Sequence, residues 1–176
     1  NVITRLSQRF TVNPKVLPMV PVVQRNGNLS EQGMYLLKQM VMIRAVPYLP
    51  PEQRMEIVTE VFDSHETLER LCSVSGGHVR ELLMLLYDWI KKQRQFPLTR
   101  DVLERVIKSS CNQMTLAITD DEWELLRQVA KYKQVRGDEG YRSVIHSRFV
   151  YEYCDGEGLW FDINPLIAEA VEFQKS

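Results

Sequence analysis

The sequence lacks most of the features that mark an enzyme site, a membrane segment or a disulfide scaffold. It contains no G-x-x-x-x-G-K-[ST] phosphate loop, so the chain by itself is not expected to bind ATP in the P-loop manner. Its three cysteines are far apart and have no metal-ligand spacing, which favours free thiols in a cytoplasmic protein. No apolar run reaches about 18 residues, so we expect no membrane-spanning helix.

Candidate catalytic groups are also few. The histidines His65, His78 and His146 are scattered along the chain. There is no G-x-S-x-G motif, and paired carboxylates occur only where they suit the first turn of a predicted helix. We therefore predict no catalytic residue and no metal site in this chain.

The charge is distributed unevenly over 176 residues, of which 44% are apolar. Residues 1–50 hold six Lys or Arg and one acid, whereas residues 120–176 hold seven Lys or Arg and twelve acids. This asymmetry predicts segments with different partners, or with each other as partners. Because the chain begins at Asn1 without a methionine, we expect it to be a fragment of a longer protein.

The hydrophobic pattern predicts a mainly α fold in three parts. Residues 1–28 read as a basic leading segment. Its apolar run at 14–23 contains three prolines and is therefore predicted to be extended rather than a central strand. Residues 29–112 read as a helical-bundle domain with proline-marked corners. Residues 113–176 read as two helices, a β-hairpin and a last helix, the order of a winged-helix domain.

Several boundaries in the bundle follow from caps and breakers. Ser30 is predicted to cap the first helix, and Pro51 to open a helix that continues through Phe62. Asp63 is predicted to cap the next helix, which stops before Gly76. The helix after the glycines is the most apolar of the chain. We expect Glu81 to face away from its buried stripe, which consists of Val79, Leu82, Leu83, Leu86, Trp89 and Ile90.

In the C-terminal part, Thr119 is predicted to cap a helix that ends at Gly137. A short helix is expected over 141–145 and a strand over 148–153. The loop at 155–158 and the strand at 159–163 complete a hairpin. Asn164 and Pro165 then open a last helix that runs through residue 173.

The middle of the chain contains a candidate anion site. Gly76 and Gly77 allow a sharp turn and a close approach of the backbone, and the next helix presents free N–H groups at its N-terminus. Arg80 lies in the first turn, where the helix dipole disfavours a cation, so an external phosphate is a natural partner. The alternative is a simple helix corner with a solvated arginine.

A winged helix also raises the question of DNA binding. The second helix of the module would be the recognition helix and offers Arg142, His146 and Arg148. The wing, residues 154–159, contains Asp155 and Glu157 but no base, and the whole module is acidic. Because phosphate neutralisation provides most of the affinity for DNA, this charge disfavours nucleic acid as a partner.

Three stretches carry a family resemblance. They are the corner Val74-Ser75-Gly76-Gly77-His78-Val79-Arg80-Glu81-Leu82, the run Val16–Val20 followed by Arg25-Asn26-Gly27, and the closing Leu159–Ile167. Together they resemble the C-terminal portion of a bacterial AAA+-like or STAND-like P-loop ATPase. In that family a helical lid follows the nucleotide-binding core, and a winged helix often follows the lid.

The resemblance implies a non-catalytic fragment of an ATPase. Gly76, Gly77 and Arg80 would form the sensor that reaches the nucleotide when the core and the lid close. ATP or ADP would then bind only in the full-length protein, whose core would lie upstream in cis. The phosphate loop, the magnesium-positioning acid and the first sensor are absent from this chain. Two other readings stay open, a DNA-binding regulator and an acidic interaction module. That module would bind another protein, a second copy, or residues 1–50 of its own chain.

Overall fold

The structure, a computed structural model, describes residues 19–136 and 139–174. Within these residues the chain is mainly helical, with ten helices and one antiparallel hairpin, and the predicted fold class is confirmed. The helices are α1 (Glu31–Ala45), α2 (Pro51–Glu56), α3 (Val58–Val61), α4 (His65–Val74), α5 (Val79–Gln93), α6 (Arg100–Thr115), α7 (Asp120–Tyr132), α8 (Glu139–His146), α9 (Pro165–Ala168) and α10 (Val171–Gln174). The hairpin consists of β1 (Val150–Asp155) and β2 (Gly158–Ile163). None of the described helices is long and apolar enough to cross a lipid bilayer.

The described part of the leading segment is extended and then turns. Residues 1–10, whose sequence predicts a short polar helix or loop, and residues 14–18 of the extended run lie outside the described residues. Val23 pairs with Leu29 in an antiparallel bridge. Between them the Gly27 N–H donates to the carbonyl of Gln24 at 2.8 Å. The sequence Asn26-Gly27-Asn28 predicts a turn, and the structure confirms it.

Most predicted helix starts are confirmed because their caps use local hydrogen bonds. The Ser30 hydroxyl accepts from the Gly33 N–H, and Pro51 occupies the first position of α2. Thr119 and Glu122 form a capping box at the start of α7. Asn164 caps α9, with Pro165 at its first position.

Two predictions in the bundle are wrong. The single helix expected from Pro51 to Phe62 is two short helices, because Ile57 leaves helical geometry at φ −103° and ψ 18°. Phe62 lies beyond the second of them and forms a parallel bridge with Leu98. The cap of α4 is Ser64 rather than Asp63, and its hydroxyl accepts from the Thr67 N–H at 3.2 Å.

The buried face of α5 differs from the one predicted by periodicity alone. Leu82, Leu86 and Trp89 are buried as expected, but Ile90 is 41% exposed. Glu81 was expected to face solvent and is only 6% exposed. Glu81 lines a groove together with Met114 of α6 and Arg148 after α8, and a helical pattern within α5 cannot predict these neighbours.

Three boundaries in the C-terminal part also move. Helix α7 ends at Tyr132 rather than Gly137, because Lys133 takes a left-handed conformation and its carbonyl accepts from the Phe161 N–H of β2. Strand β1 begins at Val150 instead of residue 148. The last helix is interrupted after Ala168, so α9 and α10 are separate.

The apolar core has three parts. The largest lies among α1 to α6 and includes Leu166 from α9. A second lies among α6 to α10 and the hairpin, and it includes Cys111 and Trp123. The third consists of Tyr151, Tyr153 and Trp160 on the hairpin, packed against the leading segment. Domain boundaries at 28/29 and 112/113 stay predictions, although α6 itself runs on to residue 115.

Candidate functional site at the glycine corner

The corner between α4 and α5, residues 75–78, is a tight turn with two left-handed glycines. Gly76 has φ +60° and Gly77 has φ +82°. The buried Ser75 hydroxyl donates to the Cys72 carbonyl at 2.6 Å and accepts from the Gly77 N–H at 3.3 Å. These bonds fix the direction in which α5 leaves the corner. We call residues 75–78 the glycine corner.

Both glycines are also required by packing within the chain. A Cβ on Gly77 would lie 1.6 Å from the carbonyl oxygen of Val20, which is backbone and cannot move aside. A Cβ on Gly76 would lie 2.7 Å from the Tyr151 ring and 2.8 Å from Pro165. The close approach predicted for the glycine pair is therefore made to the leading segment and the hairpin. Their predicted role in binding a cofactor stays a prediction.

His78 closes the corner and caps α5. Its Nδ1 accepts from the Glu81 N–H at 3.1 Å, so the cap requires an unprotonated Nδ1. Its ring stacks on Tyr151 with a centroid separation of 5.4 Å. Burial, and then the charges of Arg148 and Arg80, lower the pKa of His78. The neutral form that the cap needs is thus the favoured form.

Glu81 brings a buried carboxyl group to the same first turn. Burial raises its pKa, and the charges of Arg148 and Arg80 partly oppose this. A groove of about 190 Å³ lies beside it, between α5 and the end of α6. The groove is lined by Glu81, Met84, Leu85, Asp88, Ser110, Gln113, Met114 and Arg148.

Arg80 and Arg148 lie on either side of these groups. Arg80 is exposed in the first turn of α5, and within the described part of the chain it forms no hydrogen bond or ion pair. Arg148 is exposed just after α8 at φ +61°. Its carbonyl accepts from the side-chain amide of the fully buried Asn164 at 3.1 Å, which helps to hold this strained backbone. Both arginines act on the pKa of His78 and Glu81.

The structure thus brings together two residues that belonged to different predictions. The sequence predicts Arg80 for an anion site and Arg148 for a DNA surface, yet both lie close enough to His78 and Glu81 to affect the pKa of those residues. Arg142 and His146, the other two predicted DNA contacts, are exposed on α8 one turn apart. The sequence pattern could not predict that Arg80 and Arg148 lie near the same residues, because this depends on the docking of α8 and β1.

The hairpin brings residues to the glycine corner that the sequence pattern does not single out. The Tyr153 hydroxyl donates to the Gly76 carbonyl at 2.6 Å, and its ring stacks on Trp160 with centroids 4.5 Å apart. Tyr151 is 3% exposed, and its hydroxyl has no hydrogen-bond partner among the described residues. The only available signal was the alternation of aromatic residues along β1, which marks a buried face without naming its partner.

The wing is joined to the leading segment by Arg25. Its Nε and Nη2 atoms donate to the two carboxylate oxygens of Asp155 at 3.2 and 3.0 Å. Nη2 also donates to the Gly158 carbonyl at 3.2 Å, and Nη1 lies 3.4 Å from a Glu157 oxygen. The acidic wing therefore has a basic neighbour within the same chain.

Comparisons with known proteins do not extend these observations. Searches of the chain against protein-family models, curated proteins and solved structures found no match. The resemblance to AAA+-like and STAND-like ATPases therefore stays a prediction from the motifs. Among the described residues, no group of three or more His, Cys, Asp or Glu is placed to hold a metal ion.

Proposed function

We propose that this chain is the lid and winged-helix portion of an AAA+-like or STAND-like ATPase, in which Arg80 contacts the phosphates of a bound nucleotide. The observation that supports this most is the position of Arg80. It is an exposed guanidinium without an ion pair in the described structure, held at the N-terminus of a 15-residue helix. Both the helix dipole and the guanidinium favour an anion there, and phosphate suits the fork of an arginine.

The chain by itself is not an enzyme in this proposal. The nucleotide would be brought to Arg80 by an upstream core in cis, since the sequence has no phosphate loop. ATP or ADP would bind only in the full-length protein. A cytoplasmic location fits the three cysteines, which are all free thiols.

Two observations test the proposal, the sequence of the full-length protein upstream of Asn1 and a nucleotide titration. We expect a phosphate loop upstream, ATP binding by the full-length protein, and none by residues 1–176 alone. A full-length protein without a phosphate loop, or one that fails to bind ATP, would contradict the proposal.

A DNA-binding regulator is a second candidate. It is favoured by the exposure of Arg142 and His146 on one side of α8. The acidic wing and the net charge of the module oppose it. A gel shift with duplex DNA at about 50 mM salt tests it, and no shift at that salt concentration would exclude it.

An acidic interaction module is the third candidate. The contact of Arg25 with Asp155 and Glu157 shows that the wing can pair with a basic group. Crosslinking between residues 19–50 and the wing, compared with crosslinking to a second protein or a second copy, distinguishes an internal contact from a partner site.

A further inference from the structure

We propose that the β-hairpin is a releasable clasp over the glycine corner, and that the ion pairs of Arg25 hold this clasp closed. The inference concerns the movement of the hairpin and the corner alone. It does not require that a nucleotide bind, so it can fail or succeed independently of the proposed function.

The contacts of the clasp involve three parts of the chain, the hairpin, the glycine corner and the leading segment, and each part contacts the other two. The hairpin reaches the corner through the Tyr153 hydroxyl on the Gly76 carbonyl and through the stack of Tyr151 on His78. The corner reaches the leading segment where the Val20 N–H donates to the Gly77 carbonyl at 3.3 Å. Arg25 then joins the leading segment back to the hairpin.

The polar contacts of the clasp are weak, although the aromatic side chains of the hairpin beneath them are buried. The Arg25 and Asp155 side chains are 34% and 35% exposed, and Glu157 is 79% exposed. Ion pairs in such positions contribute little free energy and are screened by salt. The buried Tyr151 hydroxyl has no partner in the described structure, which costs stability in the closed state. A two-stranded hairpin has little stability of its own, so this one depends on the packing of its buried side chains.

Opening would change the environment of Arg80. Tyr151 and Pro165 occupy the space beside Gly76, and Val20 occupies the space beside Gly77. When the hairpin leaves, the corner loses a hydrogen bond and a ring stack. Its two glycines then have the widest backbone freedom of any residue type. Arg80 is three residues beyond Gly77, so the direction of its side chain would depend on whether the clasp is closed.

Amide hydrogen exchange followed by mass spectrometry tests the clasp in residues 1–176. The substitution Arg25→Glu replaces attraction with repulsion. We expect it to speed exchange in residues 73–79 and 150–163 by about two- to fivefold, because an exposed pair contributes up to about 1 kcal/mol. Exchange in α6, residues 100–115, should stay unchanged. Raising NaCl from about 50 to about 500 mM should speed the same two segments in the wild type and much less in Arg25→Glu.

Two further variants control for charge and for fold. Lys38→Glu makes the same charge change and breaks the Lys38–Glu69 pair, which joins α1 to α4 away from the hairpin. It should leave residues 150–163 unaffected. Adding Asp155→Arg to Arg25→Glu reverses the pair and should restore slow exchange in both segments.

Three results would overturn the proposal. Exchange that rises equally in α6 would show that the hairpin opens only when the whole fold opens. Exchange that does not rise in Arg25→Glu would show that the Arg25 ion pairs do not hold the hairpin against the glycine corner. An equal rise in Lys38→Glu would mean that net charge, rather than the Arg25 contact, controls the hairpin.

Discussion

Among single residues, Gly77 has the clearest structural demand. A side chain at this position would destabilise the fold for two independent reasons. A φ of +82° disfavours any side chain, and the Val20 carbonyl oxygen occupies the position next to a Cβ. Two other glycines allow the effect of φ to be measured apart from the effect of the close contact. Gly27 has φ +86° with nothing within 4 Å, and Gly156 has neither a positive φ nor a near neighbour.

A series of Gly→Ala variants should therefore show graded effects on stability. We expect Gly77→Ala to lower the free energy of unfolding by about 3 kcal/mol or more and Gly27→Ala to lower it by about 1 kcal/mol, whereas Gly156→Ala should leave it unchanged or raise it by up to about 1 kcal/mol. Urea denaturation measures all three. A loss for Gly77→Ala no larger than that for Gly27→Ala would show that contact with Val20 costs nothing.

His78 should make stability depend on pH. Burial lowers its pKa in the folded state, so the unfolded chain binds the proton more readily. Its contribution is complete above the unfolded pKa of about 6.5 and is lost as the pH falls through the lower folded pKa. Protonation also removes the Nδ1 acceptor that caps α5.

We expect the wild type to lose stability between pH 7.5 and 5.5 relative to His78→Asn, because asparagine caps a helix without titrating. The difference should not exceed about 1 kcal/mol, the usual contribution of an N-cap. Urea denaturation at both pH values measures it, with the exposed His65→Asn as control. The same pH slope in His78→Asn and wild type would count against a titrating cap.

On the scale of elements, the start of α6 shows how a cap can come from outside the local sequence. Thr99 is the N-cap residue, yet its side chain accepts no cap hydrogen bond. The hydroxyl instead donates to Gln93 Oε1 at 3.2 Å. The Arg100 N–H donates to a carboxylate oxygen of Asp63 at 2.7 Å, so α6 is capped by a residue that was predicted to cap α4.

Removal of this carboxylate should therefore weaken α6. We expect Asp63→Ala to lower the free energy of unfolding by about 1 kcal/mol, through the lost cap and the lost favourable charge. Asp101→Ala, in the exposed first turn of the same helix, removes only the charge effect and should cost a few tenths. Equal losses in the two variants would refute a capping role for Asp63.

The elements that could be predicted are those whose signals are local. Ser30, Thr119 and Asn164 cap their helices with side chains that bond two or three residues ahead, and the sequence order alone indicates this. The wrong boundaries depend on distant partners. Helix α7 stops where Lys133 meets β2, and the helix expected at 51–62 breaks before Phe62 pairs with Leu98.

Across the whole molecule, ion pairs connect parts that are far apart in sequence. Arg70 of α4 makes a bidentate contact with Glu104 of α6 and pairs with Glu169 after α9. Charge counts could not identify Glu104 and Glu169 as the partners of Arg70, because a count gives the net charge of a segment and not the distances between side chains. The glycine corner was identifiable because its glycines and Arg80 lie within five residues of each other in the sequence. Arg148, Tyr151 and Tyr153 reach it only through the tertiary fold.

At the same scale, we propose that Arg80 binds a phosphate of the nucleotide in the full-length protein. A nucleotide titration together with turnover, comparing wild type, Arg80→Ala and Arg105→Ala, tests it most directly. Arg105 is an exposed arginine on α6 and is a matched control. We expect Arg80→Ala to weaken ATP binding about tenfold or more, or to reduce hydrolysis with binding retained, because a charge-assisted hydrogen bond contributes on that scale. Arg105→Ala should match the wild type. Unchanged affinity and unchanged turnover in Arg80→Ala would contradict the account.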